Sequence, residues 1–265
     1  MLVLALRSIE ITHNSMKRVL LIFILLGWQK MFAQEVTTLF KEAGNFEYNF
    51  KESEALNKYK QILIIDPTNI KALVKATELS CSTGERLLNK TDKRLAFESA
   101  LAFAQRAVTA DSTNADCYYA LATSSGKMTE VETENKKIVA FVRDVKINAD
   151  KALKINPNHA MANFVEGKWH YEMIVLNWAK RLAVKTLYGG LPEADIDKAI
   201  DYFEKCKSLE PYFMLNYLYL AKAYKEKNRP AQETEVLNRL VKLPIRTFDD
   251  NDYKKEAQKM LQDLQ

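Results

Sequence analysis

Beyond the first 34 residues, two histidines, three cysteines and one run of acids are the side chains that could bind a metal or move a proton in this chain. His159 and His170 lie 11 residues apart. No Cys or carboxylate stands at a helical spacing that would complete a metal site around them. Glu166 precedes His170 by one helical turn, which predicts a hydrogen bond on an exposed helix face rather than a ligand pair. Asp249-Asp250-Asn251-Asp252 offers several oxygens. It lacks the glycine and terminal glutamate of a calcium loop, and reads as the capped start of a helix. Cys81, Cys117 and Cys206 are odd in number and contain no CxxC, so neither a disulfide framework nor a zinc knuckle is expected. Buried thiols on helices are the expected reading. GxSxG, HExxH, GxxxxGK[ST] and GxGxxG are all missing from the sequence. The expectation is a protein that is not an enzyme, with no catalytic residue, no metal and no cofactor.

The elements that must position any site are helices. Gly (7) and Pro (6) are scarce among 265 residues. Sandwiches, barrels and nucleotide-binding α/β folds need many glycine turns and are disfavoured. A composition of 48% hydrophobic and 28% charged residues excludes general disorder. Four stretches align with one another: 58–80, 103–125, 149–171 and 202–224. Each ends an apolar helix, passes Pro67, Ser112, Pro157 or Pro211, and begins a new amphipathic helix. Asn69, Asn114 and Asn158 stand where they could cap the new helix. Ten residues after each Pro or Ser come the small residues Thr77, Ala122, Gly167 and Ala221, which allow close packing of a partner helix.

This pattern resembles the tetratricopeptide repeat, with spacings of 45, 45 and 54 residues in place of about 34. The excess must lengthen helices or loops. The expected fold is therefore all-α, a tetratricopeptide-like helical-hairpin superhelix with lengthened helices. Helices are predicted at about 35–45, 48–65, 69–82, 92–110, 114–128, 133–155, 159–187, 193–209, 213–227, 230–242 and 250–264. Gly189-Gly190-Leu191-Pro192 is the main interruption, and residues 35–265 read as a single domain.

The formal charge of +5 hints at an acidic partner, but part of it sits at the N-terminus. Lys17 and Arg18 precede the apolar run Val19–Leu26, with Ala33 beyond, which is the layout of a secretory signal peptide starting at Met16. The apolar run is too short to span a bilayer as a helix. Setting aside residues 1–34 removes four of the 39 basic residues and one of the 34 acidic ones. That leaves 35 against 33, or +2. Nucleic acid is not expected as a partner. The segment predicts export, to a bacterial periplasm, with an uncleaved N-terminal anchor as the alternative.

A second resemblance is carried by G-K-W-H-Y-E (167–172), L-N-W-A-K (176–180), L-Y-G-G-L-P (187–192), A-I-D-Y-F-E-K (199–205), L-E-P (209–211), N-Y-L-Y-L-A-K-A-Y (216–224) and K-L-P (242–244). This part of the chain is similar to the regulator of microtubule dynamics family of tetratricopeptide proteins, as a bacterial-type exported member. The resemblance implies a helical repeat module that binds partners and performs no catalysis.

In a tetratricopeptide array the first helix of each hairpin lines the concave face. Counting from the small residues places Glu78, Thr123, Lys168 and Lys222 inward. Val74, Tyr119, Phe164 and Leu218 lie one turn before them, and Cys81, Gly126, Tyr171 and Lys225 one turn after. A groove centred on Tyr119, Phe164, Lys168, Tyr171, Trp178 and Lys222 follows. Lysines beside aromatics suit an acidic or carboxylate-bearing partner, or a lipid head group. Trp169, Trp178 and Tyr224 also have a plain reading as packing residues. The expected function is a scaffold that binds a protein or peptide in this groove. The alternative is a lipid or other apolar ligand carried inside the superhelix.

Overall fold

Every helix start requires something to satisfy its free N–H groups, and these starts show how the repeat is built. Asn69 Oδ1 accepts the Ala72 N–H at 3.1 Å and opens the helix that begins at Ile70. Asn114 Oδ1 accepts the Asp116 N–H at 2.9 Å and opens the one that begins at Ala115. In the third repeat the cap is His159, whose Nδ1 accepts the Ala162 N–H at 3.0 Å, rather than Asn158. The helix begins one residue later than the sequence count placed it, and an imidazole nitrogen does the work of the amide oxygen. In the fourth repeat the helix that begins at Met214 has no side-chain cap; beyond it Asn228 adopts a left-handed φ of 55°, and Pro230 starts the next helix, where its missing N–H costs nothing.

The structure is a computed structural model and describes residues 34–176 and 192–264. Eleven helices and no strand are found among the described residues. They are α1 (34–48), α2 (Glu52–Ile65), α3 (Ile70–Glu85), α4 (Lys90–Ala110), α5 (Ala115–Val131) and α6 (Asn135–Ile155). There follow α7 (Ala160–Val175), α8 (Ile196–Leu209), α9 (Met214–Glu226), α10 (Pro230–Lys242) and α11 (Asp250–Asp263). Helices pair with their sequence neighbours, and α3, α5, α7 and α9 form the inner row. The all-α helical-hairpin superhelix is thus what the chain forms. Its long members are α4 and α6, of 21 residues each, which take up the extra length of the two 45-residue spacings. Among the described residues no helix is long and apolar enough to cross a membrane.

One helix ends earlier than its pattern suggested. α7 stops at Val175, and Leu176 turns to ψ 131°. The run Ile174-Val175 is β-branched and supports helix poorly. The proposed leader, Trp178 and the Gly189-Gly190 break lie outside the described residues.

The core runs as successive clusters along the array. One joins α1–α3 through Ala43, Tyr59, Ile62 and Leu73. A second joins α5–α7 through Ala122, Ala149, Ala152 and Ala162. The third and largest joins α7–α11 through Phe164, Phe203, Leu220, Leu237 and Met260. The small residues of the repeat are where the helices meet. Thr77, Ala122 and Ala221 are fully buried. A Cβ at Gly167 would lie 2.7 Å from the Phe203 ring, so only glycine lets α7 approach α8 this closely. Cys81, Cys117 and Cys206 are free and buried, and burial pushes the Cys81 thiol up to about 12. Trp169 packs with 3% exposure, and its Nε1 donates to the Val142 carbonyl at 3.0 Å. Tyr224 is likewise packed and donates to Glu204 at 2.9 Å.

Candidate functional site

The inner row of helices encloses a cavity of about 360 Å³, within the range of ~300–1,000 Å³ common for ligand pockets. α5 contributes Tyr119, Thr123 and Lys127, and α7 contributes Phe164, Lys168 and Glu172. α9 adds Leu215 and Tyr219, and α11 adds Tyr253. Three of the residues expected from the sequence, Tyr119, Phe164 and Lys168, are therefore brought together. Lys222 is not part of the lining and lies 2.8 Å from Glu256. Tyr171 packs edge-on against Tyr219 at 5.8 Å and is not part of the lining. Leu218, expected to face inward, is 2% exposed in the core.

Tyr219 is the residue that repeat counting missed, and it stands at the centre of the aromatic wall. Its ring meets Phe164 edge-on at 5.7 Å and Tyr171 at 5.8 Å. Lys168 Nζ and Lys222 Nζ each lie 5.3 Å from its centroid. Its hydroxyl donates to Glu172 Oε1 at 3.3 Å. Burial, and then Glu172, hold its pKa above the ordinary tyrosine value, so it remains a neutral donor. A helix turns about 100° per residue, so counting from Ala221 picked Leu218 when the stripe on this side of α9 is Leu215 and Tyr219 in the lining, with Lys222 one turn beyond over the Tyr219 ring. The i, i+4, i+7 spacing of that stripe is the signal that could have found it.

The cavity carries no excess of positive charge. Lys127 lies 2.8 Å from both Glu85 and Glu130, and Lys168 lies 3.6 Å from Glu172. Burial and neighbouring Lys168 act against the charge on Lys127, but the two glutamates outweigh them and its pKa is raised. Tyr119 is buried, and burial together with Glu78 raises its pKa strongly. Thr123, one turn after Tyr119 on α5, adds a buried hydroxyl to a wall that mixes aromatic and charged side chains.

The other chemistry-bearing residues serve the fold. His159 Nε2 lies 2.9 Å from Asp116 Oδ1 while Nδ1 caps α7. His170 and Glu166 are not on an exposed face, contrary to the sequence reading. Glu166 is 0% exposed and His170 3%, with Nε2 and Oε2 4.0 Å apart. α7 is covered on this side by α6 and α8, which the one-helix pattern could not show. His170 Nδ1 accepts the Asp195 N–H at 3.1 Å. Burial depresses the His170 pKa to about 4 and raises that of Glu166 to about 8. The acidic run is not a simple cap either. Asp249 makes no capping bond, whereas Asp250 Oδ2 accepts the N–H groups of Arg246 and Thr247 at 2.7 and 2.8 Å.

The sequence profile of the regulators of microtubule dynamics, proteins 1–3, matches residues 39–265. The chain belongs to the regulator of microtubule dynamics family. It is 30% identical over 164 residues to regulator of microtubule dynamics protein 2 of Mus musculus, covering 60% of this chain and 39% of that protein. It is 27% identical to protein 3 of Bos taurus, over 56% of this chain and 31% of the relative. With protein 1 of Caenorhabditis elegans it shares 29% over 43% of this chain and 50% of the relative. The chain thus spans only about two fifths of the length of the mouse relative it matches. In fold it is similar to a thermophilic tetratricopeptide protein of Thermus thermophilus, with a TM-score of 0.62 at 13% identity. That match covers 84% of this chain and 99% of the other.

These relatives correct the expected location. They are animal proteins named for microtubule dynamics, which overturns the reading of a protein exported to a bacterial periplasm. A basic start followed by a short apolar run is shared by several kinds of N-terminal segment, so that pattern does not identify a compartment.

Proposed function

We propose that this helical scaffold receives a segment of a protein or peptide partner on its concave face, and performs no catalysis. The observation that carries the reading is Tyr219. It is an amphipathic aromatic between Lys168 and Lys222, on the wall of a cavity that is also lined by Phe164, Tyr119 and Thr123. Aromatic walls with a few polar groups recognise one or two apolar anchors and fix their orientation. Because each lysine already faces a carboxylate, the favoured partner segment is amphipathic and carries both signs of charge at its edges. A strongly acidic segment would have to displace Glu85, Glu130, Glu172 and Glu256 from their lysines.

The test is selection of binding peptides from a displayed random library, with microtubules assembled from purified tubulin as a second probe suggested by the relatives' name. Lys168→Glu with Lys222→Glu should keep the helical circular dichroism and lose the selected peptides. Peptides that bind this double variant equally well would overturn the reading. Native mass spectrometry reports on the alternative, since an apolar ligand that co-purifies and displaces the peptides would assign the cavity to that ligand.

A further inference from the structure

The array curls until its last helix meets its first hairpin, and a single side chain spans the junction. Arg86, at the end of α3, is 163 residues from Asp249 in sequence, yet its Nη1 lies 2.8 Å from Asp249 Oδ2. Its Nη2 binds Glu52 of α2, and its guanidinium lies 4.5 Å from the Phe248 ring centroid. Among the described residues α3 and α11 do not otherwise pack. The far side of α11 is anchored differently. Ala257 and Met260 are buried against the C-terminal cluster, and Glu256 binds Lys222. Asp250 ties the preceding loop to the first turn of α11, so the two move as one piece. Tyr253, one turn into that helix, forms part of the cavity wall.

We propose that Arg86 is the latch of a gate, and that ligands enter and leave the cavity when the seam between Arg86 and Phe248-Asp249 opens. The role in ligand exchange rests on the cavity reading above; the latch itself does not. The electrostatics make the seam two-state. With Arg86 in place, two acids from opposite ends of the chain share one guanidinium. Without it, Glu52 and Asp249 face each other with no guanidinium between them and Glu85 nearby, and attraction becomes repulsion. The latch side chains are 14–31% exposed, so salt weakens the closure. Further along, the helix is held by buried Ala257 and Met260 and by the Glu256–Lys222 pair, none of which involves Arg86, so opening is a swing of the first turn and its loop rather than release of the whole helix.

Spin labels at Leu88→Cys and Lys255→Cys report the seam, since both positions are exposed and the native cysteines are buried. Pulsed electron resonance should give one narrow distance with Arg86 present. Arg86→Asp should give a longer, broader distribution, and adding Asp249→Arg should restore the narrow one. If circular dichroism shows that Arg86→Asp disturbs folding, Arg86→Gln takes its place. Stopped-flow fluorescence with anilinonaphthalene sulfonate, an anionic aromatic probe, reads exchange. Arg86→Asp should raise its association and dissociation rates together, by about tenfold, with little change in Kd. An unchanged distance distribution overturns the latch. A shifted distance with unchanged exchange rates overturns the gate. Failure of the probe to bind wild-type protein counts against the cavity reading, and the distance measurement still decides the latch.

Discussion

Replacing Glu166 by Gln should remove a loss of stability that sets in as pH rises toward 8. Glu166 is fully buried on α7, and neither carboxylate oxygen has an aligned hydrogen bond. Lys146 Nζ lies 3.3 Å from Oε2, but it also lies 2.6 Å from Asp150, a more exposed acid that satisfies its charge. Burial therefore wins over Lys146, and the Glu166 pKa rises from 4.5 to about 8. The folded protein keeps a proton that the unfolded chain gives up. This group's contribution is fully present below pH 4.5 and is lost as pH rises through about 8. His170 runs the opposite way, from an ordinary 6.5 down to about 4. Its contribution is complete above pH 6.5 and is lost as pH falls through about 4. Between pH 6.5 and 8 only Glu166 of this pair changes stability, at ~1.4 kcal/mol per pH unit. The wild type should lose about 2 kcal/mol over that window, on the order of the whole linkage for this interval. Urea unfolding followed by circular dichroism at both ends of the window measures it. Glu166→Gln should show almost none of this slope and be the more stable protein at the alkaline end. Parallel pH curves for the two proteins would refute the claim that Glu166 is protonated in the fold.

Other substitutions test the packing and the caps. Gly167→Ala places a Cβ 2.7 Å from the Phe203 ring and should cost ~1–3 kcal/mol in urea unfolding. Asn69→Ala removes the bond to the Ala72 N–H and should cost ~1 kcal/mol, with amide exchange quickening in the first turn of α3.

The helical hairpins were legible because their cause is local. Pro67, Pro157 and Pro211 interrupt helices where they stand, and Gly167 and Ala221 mark close approaches ten residues past those turns. The lining of the candidate site was legible only in part. Tyr119, Phe164 and Lys168 follow from repeat counting, but on α9 the choice between Leu218 and Tyr219 rests on one residue of helical phase. The Arg86–Asp249 junction depends on how far the whole array curls, which no local pattern records. Glu166 illustrates the same limit. Its face looks polar from its own helix, and it is buried only because α6 and α8 cover it.

The central claim is that the concave aromatic cavity is the binding site. Its most direct test is the Kd of a library-selected peptide for wild-type protein and for Tyr219→Ala, by isothermal titration, with circular dichroism as the check on folding. Loss of a central aromatic anchor should weaken binding at least about tenfold, or ~1.4 kcal/mol, while helix content holds. An unchanged Kd in a folded Tyr219→Ala protein would contradict the account.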